Sequence, residues 1–349
     1  LLNINEPDVW CKATDYIQEQ IDLIKELEAK GFTYVTSDGV YFDTEKFPNY
    51  NKLSHLKLEE LKEGARIEKN SEKKNPTDFA LWKFNTTGEK RQMEWESPWG
   101  AGFPGWHIEC SAMSLHFLKG HLDIHCGAVD HINIHHTNEI AQSEAATGEK
   151  FFNYWIHGAF LNVGDDEKMS KSVGNILTLE LVTGEERVDP LAFRYACLLT
   201  HYRKPMSYKA GMLQQADAAL KNIRRSLESL PHEIGKVDEA CEAEFLAAIN
   251  DDLNMPQAVA VLQSVLKSTL ADDVKAATIQ RFDEVLGLNL TLGKITEELP
   301  EEIRQLAAER ERARADRDWA TSDALREQLE KLGYSVEDGA EGMKIRRNF

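Results

Sequence analysis

The sequence predicts an α/β fold that passes into an all-α region and closes on a small α/β unit. Three observations carry this expectation. Asp123-Ile124-His125-Cys126-Gly127-Ala128-Val129-Asp130 reads as a buried strand running into a turn of small residues. A doubly wound sheet presents strand ends to ligands in this way, although a plain tight turn fits the same residues. Residues 213–230 and 245–270 read as amphipathic helices, with Pro256 near a helix start. From about Glu301 the pattern gives an Ala/Arg/Glu helix, a turn around Asp318-Trp319 and a second helix to Leu332. Gly333 is its stop, and a short strand-like tail runs to Arg347.

The earlier elements follow in order. Ile17, Ile21, Ile24 and Leu27 recur at helical spacing before a stop at Gly31. Residues 32–43 read as a hairpin with Asp38-Gly39 as its tight turn. The lysine-rich stretch 57–74 reads as an exposed insertion. Residues 77–106 are rich in Trp and Gly, which marks either a core corner or a place where a ligand meets backbone. Eight of the eleven histidines fall within residues 107–157, the sharpest shift in composition. Pro205 and Met206 close the segment after it.

At 349 residues the chain can hold two or three domains. A net charge of −18 argues against non-specific coating of nucleic acid, so a nucleic-acid partner would have to be gripped by local basic patches. No apolar run reaches the roughly 18–20 residues that span a bilayer. The five cysteines lie far apart without a paired framework, as suits a reducing, cytoplasmic setting. The first residue is Leu1 and no strand or helix cap opens the chain, so a preceding polypeptide segment is expected.

Two constellations carry chemistry. Lys168-Met169-Ser170-Lys171-Ser172 places two ammonium groups in a short loop followed by Gly174. Such a loop can close over a triphosphate and neutralise charge growing on phosphate oxygens; it is also how a solvated basic surface is built. The second is Cys110 with His135 and Glu139. The latter two are four apart and share a face of a helix. Thiolate, imidazole and carboxylate together suit Zn²⁺ and leave one coordination position. His136 competes as a ligand, a His/Glu pair at this spacing is also an ordinary helix pair, and a lone cysteine is also a small buried hydrophobe.

Three segments together resemble cysteinyl-tRNA synthetases, a family of class I aminoacyl-tRNA synthetases. They are Gly105-Trp106-His107-Ile108-Glu109-Cys110-Ser111-Ala112-Met113, His135-His136-Thr137-Asn138-Glu139-Ile140-Ala141-Gln142-Ser143, and the Lys168 to Ser172 loop. The likeness extends from Asn75-Pro76-Thr77-Asp78-Phe79-Ala80-Leu81-Trp82-Lys83 to Glu337-Asp338-Gly339 and so covers essentially the whole chain.

The resemblance implies ATP-dependent activation of L-cysteine, with Mg²⁺ accompanying ATP, and transfer to tRNA(Cys). It makes Cys110, His135 and Glu139 three of four Zn²⁺ ligands, the metal taking the cysteine thiolate. It makes Trp106 a wall of the amino-acid pocket, and Asp130 with Gly127 and its small neighbours the adenosine turn. Lys168 and Lys171 become the groups that assist pyrophosphate departure. Arg314, Trp319, Asp323 and Asp338 match positions that meet the anticodon. Trp319 also fits a hydrophobic plug between two helices.

The sequence departs from the family in places. Cys126 and Ala128 stand where the family has glycines, and Ile134 where it has proline. No His-x-Gly-His occurs, nor the family's fourth ligand, a cysteine; Cys11 stands in the wrong context for it. The isolated chain is therefore expected to be inactive.

The resemblance implies the second half of a class I Rossmann-like catalytic domain with an inserted connective domain, a helical-bundle anticodon-binding domain and a small C-terminal α/β unit. The expected boundaries are 1–100 (end of the first half, and connective domain), 101–205 (second half, with metal ligands and lysine loop), 206–297 (bundle) and 298–349 (anticodon-binding C-terminal domain). Two other readings are a non-catalytic tRNA-binding module and the cysteine ligase of mycothiol synthesis, against which residues 314–338 speak.

Overall fold

The computed structural model describes residues 1–55, 71–86, 88, 91–119, 121–164, 167–168, 178–179, 184, 188–231, 235–290, 300–332, 334–339 and 342–347. Most of the lysine-rich stretch, Lys171 and Gly333 lie outside the described residues. Two compact units divide the chain: Glu6–Phe160, and Leu1–Asn5 with Leu161–Phe349.

In the first unit, α1 (Ile17–Ala29) buries Ile21, Ile24 and Leu27 on one face, as their spacing predicts. β1 (Thr33–Thr36) and β2 (Gly39–Phe42) form the expected hairpin. Thr36 pairs with Gly39, so the turn is Ser37-Asp38, one position earlier than the sequence predicted. Gly39 belongs to the strand because it also pairs with Lys83 of β3 (Phe79–Phe84). β4 (Gly102–Pro104) completes an antiparallel sheet in the order β1-β2-β3-β4.

Trp82, Phe42 and Leu81 of this sheet pack fully buried with α1, α2 (Trp106–Leu118) and α3 (Thr137–Thr147). Trp82, Trp95 and Trp99 of the tryptophan- and glycine-rich stretch thus form a core corner, while Trp106 at its end is exposed. Gly105 sits there against β3: a Cβ on it would stand 2.0 Å from the Ala80 carbonyl oxygen. That approach holds the start of α2 in place.

β5 (Leu122–Ala128) and β6 (Phe152–Gly158) run parallel, with α3 between them in sequence. Parallel neighbours need such a crossover. β5 is not the buried strand that the sequence predicts: Asp123, Ile124 and Cys126 are exposed. The cause is that β6 is its only strand neighbour among the described residues.

In the second unit, β7 (Leu161–Val163) pairs antiparallel with β8 (Glu167–Lys168) and parallel with β9 (Met206–Tyr208). Helices α4 (Pro190–Leu198), α5 (Met212–Glu228), α6 (Glu239–Asn250), α7 (Met255–Lys267) and α8 (Asp272–Leu286) enclose one apolar core. At its centre the rings of Phe245 and Phe282 stack at 4.0 Å.

The helical stretch expected over 245–270 is two helices, and Pro256 stands in the first turn of the second, as the sequence predicts. Asp252 and Leu253 adopt positive φ (55° and 53°), which ends α6, and the Asn254 side chain then caps α7 by accepting from Gln257 N–H. At the end of the chain α9 (Glu301–Ala315) and α10 (Trp319–Lys331) pack with a hairpin of β10 (Tyr334–Gly339) and β11 (Gly342–Arg347). The strand-like tail is therefore a pair. No helix among the described residues is long and apolar enough to cross a membrane.

Candidate metal centre

Three local structures deliver the centre. The first turns of α2 carry Trp106, His107 and Cys110; β5 carries His125 and Gly127; the chain then passes through a short π-helical turn (Ile132–His136) into α3, which carries Glu139 in its first turn. Single π turns are frequent at functional sites because they re-aim side chains without breaking the helix. Here the turn brings both His135 and His136 into the interior, at 5% and 1% exposure.

The ligand atoms of Cys110, His135 and Glu139 all lie within 4.8 Å of one another. Glu139 is completely buried. Its Oε1 is 2.6 Å from His135 Nε2 and its Oε2 is 3.4 Å from His125 Nε2. Yet neither oxygen completes a hydrogen bond. A buried carboxylate without donors costs several kcal/mol unless a positive charge compensates it. Atoms that touch without hydrogen-bond alignment are what two ligands of one cation look like, so the sulfur, nitrogen and oxygen donors fit a borderline metal such as Zn²⁺.

Electrostatics agree with that fit. Burial, with the charges of Glu139 and Glu109 added, pushes the Cys110 thiol up to about 12. Without a cation beside it, the thiol keeps its proton. Burial also drives the His107 imidazole down to about 3 and His136 down to about 2, helped by neighbouring imidazoles. His125 moves down for the same first reason, and burial raises Glu109. The His107, His125 and His136 rings are therefore neutral.

His107 Nδ1 lies 2.9 Å from His135 Nδ1. In this contact one of the two nitrogens must donate. When His135 Nδ1–H donates, its Nε2 is left bare on the side of Glu139, as metal ligation requires. Over the cluster lies Trp106, its ring centroid 4.3 Å from that of His135, with 59% of the residue exposed.

Asp130 is exposed in the short turn after β5. Gly127 is backed by a side chain: a Cβ on it would lie 2.3 Å from His136 Cε1. In the other unit Lys168 lies in β8, its Cα opposite Asn162. At the C-terminal end Arg314 closes α9 and its guanidinium lies 5.9 Å from the centroid of the Trp319 ring, which opens α10. Trp319 is 56% exposed and so is no plug between helices. Asp323 is exposed one turn further on, and Asp338 stands in β10 opposite Met343.

Sequence reasoning missed His107, His125 and His157. The only signal for them was the histidine density of residues 107–157, which names no partners.

Residues 1–218 match the family described as tRNA synthetases class I (C) catalytic domain, and residues 296–346 match the cysteinyl-tRNA ligase anticodon binding domain. Fold and matches together define a class I aminoacyl-tRNA synthetase, an enzyme class that binds ATP and tRNA. Cysteine–tRNA ligase 1 of Burkholderia lata is 47% identical over 345 residues, covering 99% of this chain and 73% of that protein. The cysteine–tRNA ligase of Legionella pneumophila strain Philadelphia 1 is 43% identical over 359 residues (99% and 77%). That of an Exiguobacterium species is 39% identical over 368 residues (99% and 78%). The chain belongs to the cysteinyl-tRNA synthetase family.

Proposed function

We propose that the chain belongs to a catalyst of cysteine activation and transfer, with Zn²⁺ held by Cys110, His135 and Glu139. The convergence of these three donors around a buried carboxylate without hydrogen bonds is the observation that carries the reading. In the first step a carboxylate oxygen of L-cysteine attacks the α-phosphorus of Mg²⁺-ATP and pyrophosphate leaves. In the second, a hydroxyl of the terminal ribose of tRNA(Cys) attacks the acyl carbonyl and AMP leaves. When bound, Zn²⁺ supplies a soft acceptor for the cysteine thiolate that a serine hydroxyl does not match, a larger difference than the ~1–3 kcal/mol of one methylene.

The chain's own residues do the rest. Trp106 forms a wall of the amino-acid pocket. Asp130 and Gly127 receive the adenosine. Lys168 and Lys171 neutralise charge as pyrophosphate departs. Trp319 stacks on an anticodon base, with Arg314, Asp323 and Asp338 at base edges. The work falls to domains bounded as 1–100, 101–205, 206–297 and 298–349, in a cytoplasmic enzyme.

The cobalt form tests the central claim. Co²⁺-loaded protein is expected to gain sulfur-to-cobalt absorption on addition of L-cysteine and none with L-serine. An equal response to both amino acids sinks thiolate selection.

The match over residues 296–346 favours the synthetase over the cysteine ligase of mycothiol synthesis, and the match over 1–218 favours a catalyst over a tRNA-binding module.

Two further outcomes are expected. The sulfur-bearing set among the described residues has three protein ligands and the sequence holds no His-x-Gly-His, so cysteine-dependent pyrophosphate exchange by this chain should stay near background. Near-normal turnover refutes this. In a gel shift, Trp319→Ala should weaken binding of tRNA(Cys) about tenfold or more, since base stacking on an aromatic ring is worth ~1–3 kcal/mol. Wild-type binding without preference for the cysteine anticodon removes the role assigned to this end of the chain.

A further inference from the structure

We propose that the centre contains a second divalent-cation position, built from His125, His136 and Glu139 and joined to the first through the Glu139 carboxylate. The ligand atoms of these three residues also lie within 4.8 Å of one another, and all three side chains are largely withdrawn from solvent. Glu139 divides itself between the two sets: Oε1 faces His135 Nε2 at 2.6 Å, and Oε2 faces His125 Nε2 at 3.4 Å. One cation between Cys110, His135 and Oε1 leaves Oε2 buried without a hydrogen-bond donor. A cation on each side compensates both oxygens.

The surroundings are built as they are at the first position. His136 Nδ1 lies 2.8 Å from His157 Nε2, as His135 Nδ1 lies 2.9 Å from His107 Nδ1. Metal-ligating histidines are oriented by such a contact at the second ring nitrogen. The His125 ring is held in plane by stacking on Trp155, centroids 4.7 Å apart. Room for His136 is kept by Gly127, since a Cβ there would stand 2.7 Å from its Nε2.

Two imidazoles and a carboxylate without sulfur suit a borderline divalent cation such as Zn²⁺, Co²⁺ or Ni²⁺. The site goes beyond the proposed function, whose steps use the sulfur-bearing position alone.

Cobalt stoichiometry tests the inference. The chain, stripped of metal by a chelator, is titrated with Co²⁺, and bound metal and near-ultraviolet absorption are read together. Two Co²⁺ per wild-type chain are expected. His125→Gln/His136→Gln should keep one, with the sulfur-to-cobalt absorption; Cys110→Ala should keep one without it. A single Co²⁺ per wild-type chain carrying the sulfur absorption overturns the proposal, as do two retained by the His125/His136 variant. A single Co²⁺ without sulfur absorption, lost in that variant, upholds the second position and defeats the thiolate-ligand reading instead. Circular dichroism checks that the variants fold, and should one fail, the wild-type stoichiometry still decides.

Discussion

Cys110→Ala is expected to lower Zn²⁺ affinity at the sulfur-bearing position by more than about a hundredfold, because altering even an outer-shell partner of a ligand costs ~10–100-fold. The substitution removes the soft donor and leaves His135 Nε2 and Glu139 Oε1, which touch at 2.6 Å, as the remaining pair. It also removes the volume of the sulfur, so serine, nearer in volume, is the companion variant. Competition with a calibrated chelator measures the affinity, and the absorption of the cobalt form reports whether sulfur is bound. Cys110→Ser should lose the sulfur absorption too, because a hydroxyl is a poor and hard ligand. Unchanged affinity in both variants would mean that Cys110 is only a buried small residue.

Gly105→Ala should destabilise the first unit by about 3 kcal/mol, at the upper end of the usual overpacking cost. The new Cβ would meet the Ala80 carbonyl oxygen at 2.0 Å and its carbon at 2.9 Å. Both are main-chain atoms of the central strand β3, so no side-chain rotation relieves the clash. The Gly105 N–H also donates to the Leu81 carbonyl at 2.8 Å, which ties the two segments together on the same side. Either β3 or the start of α2 has to move, and α2 carries Trp106, His107 and Cys110. A fall in Tm of roughly 6–12 °C is expected for a unit of this size, together with weaker metal binding. A melting temperature within about 2 °C of wild type would show that the backbone yields without cost.

The sequence made several of these parts legible because their signals are local. The 3–4 residue recurrence of Ile17, Ile21, Ile24 and Leu27 marks α1, and a four-residue interval places His135 and Glu139 on one side of the chain. The hairpin at residues 33–42 was readable to within one position, the turn being Ser37-Asp38 because β3 recruits Gly39 into the sheet. The helical stretch 245–270 divides where Asp252 and Leu253 take left-handed conformations, which a leucine does not announce, although Pro256 marked the start of the second helix. Trp319 had two readings that no local pattern separates; its exposure removes the hydrophobic plug and leaves the anticodon contact as a proposal.

Composition and spacing by themselves made the α/β-then-helical order legible and left Cys110, His135 and Glu139 as one candidate donor set among others; the resemblance of its motifs pointed to the family. Only the tertiary structure decided that Glu139 is wholly buried, that each of its oxygens faces a different histidine, and that His107 and His157 back the two rings. These residues lie on separate elements, α2, β5, the π-helical turn, α3 and β6, and which of them meet depends on packing between elements. Periodicity reports which way a side chain faces along its own helix or strand; it holds no information about what stands opposite.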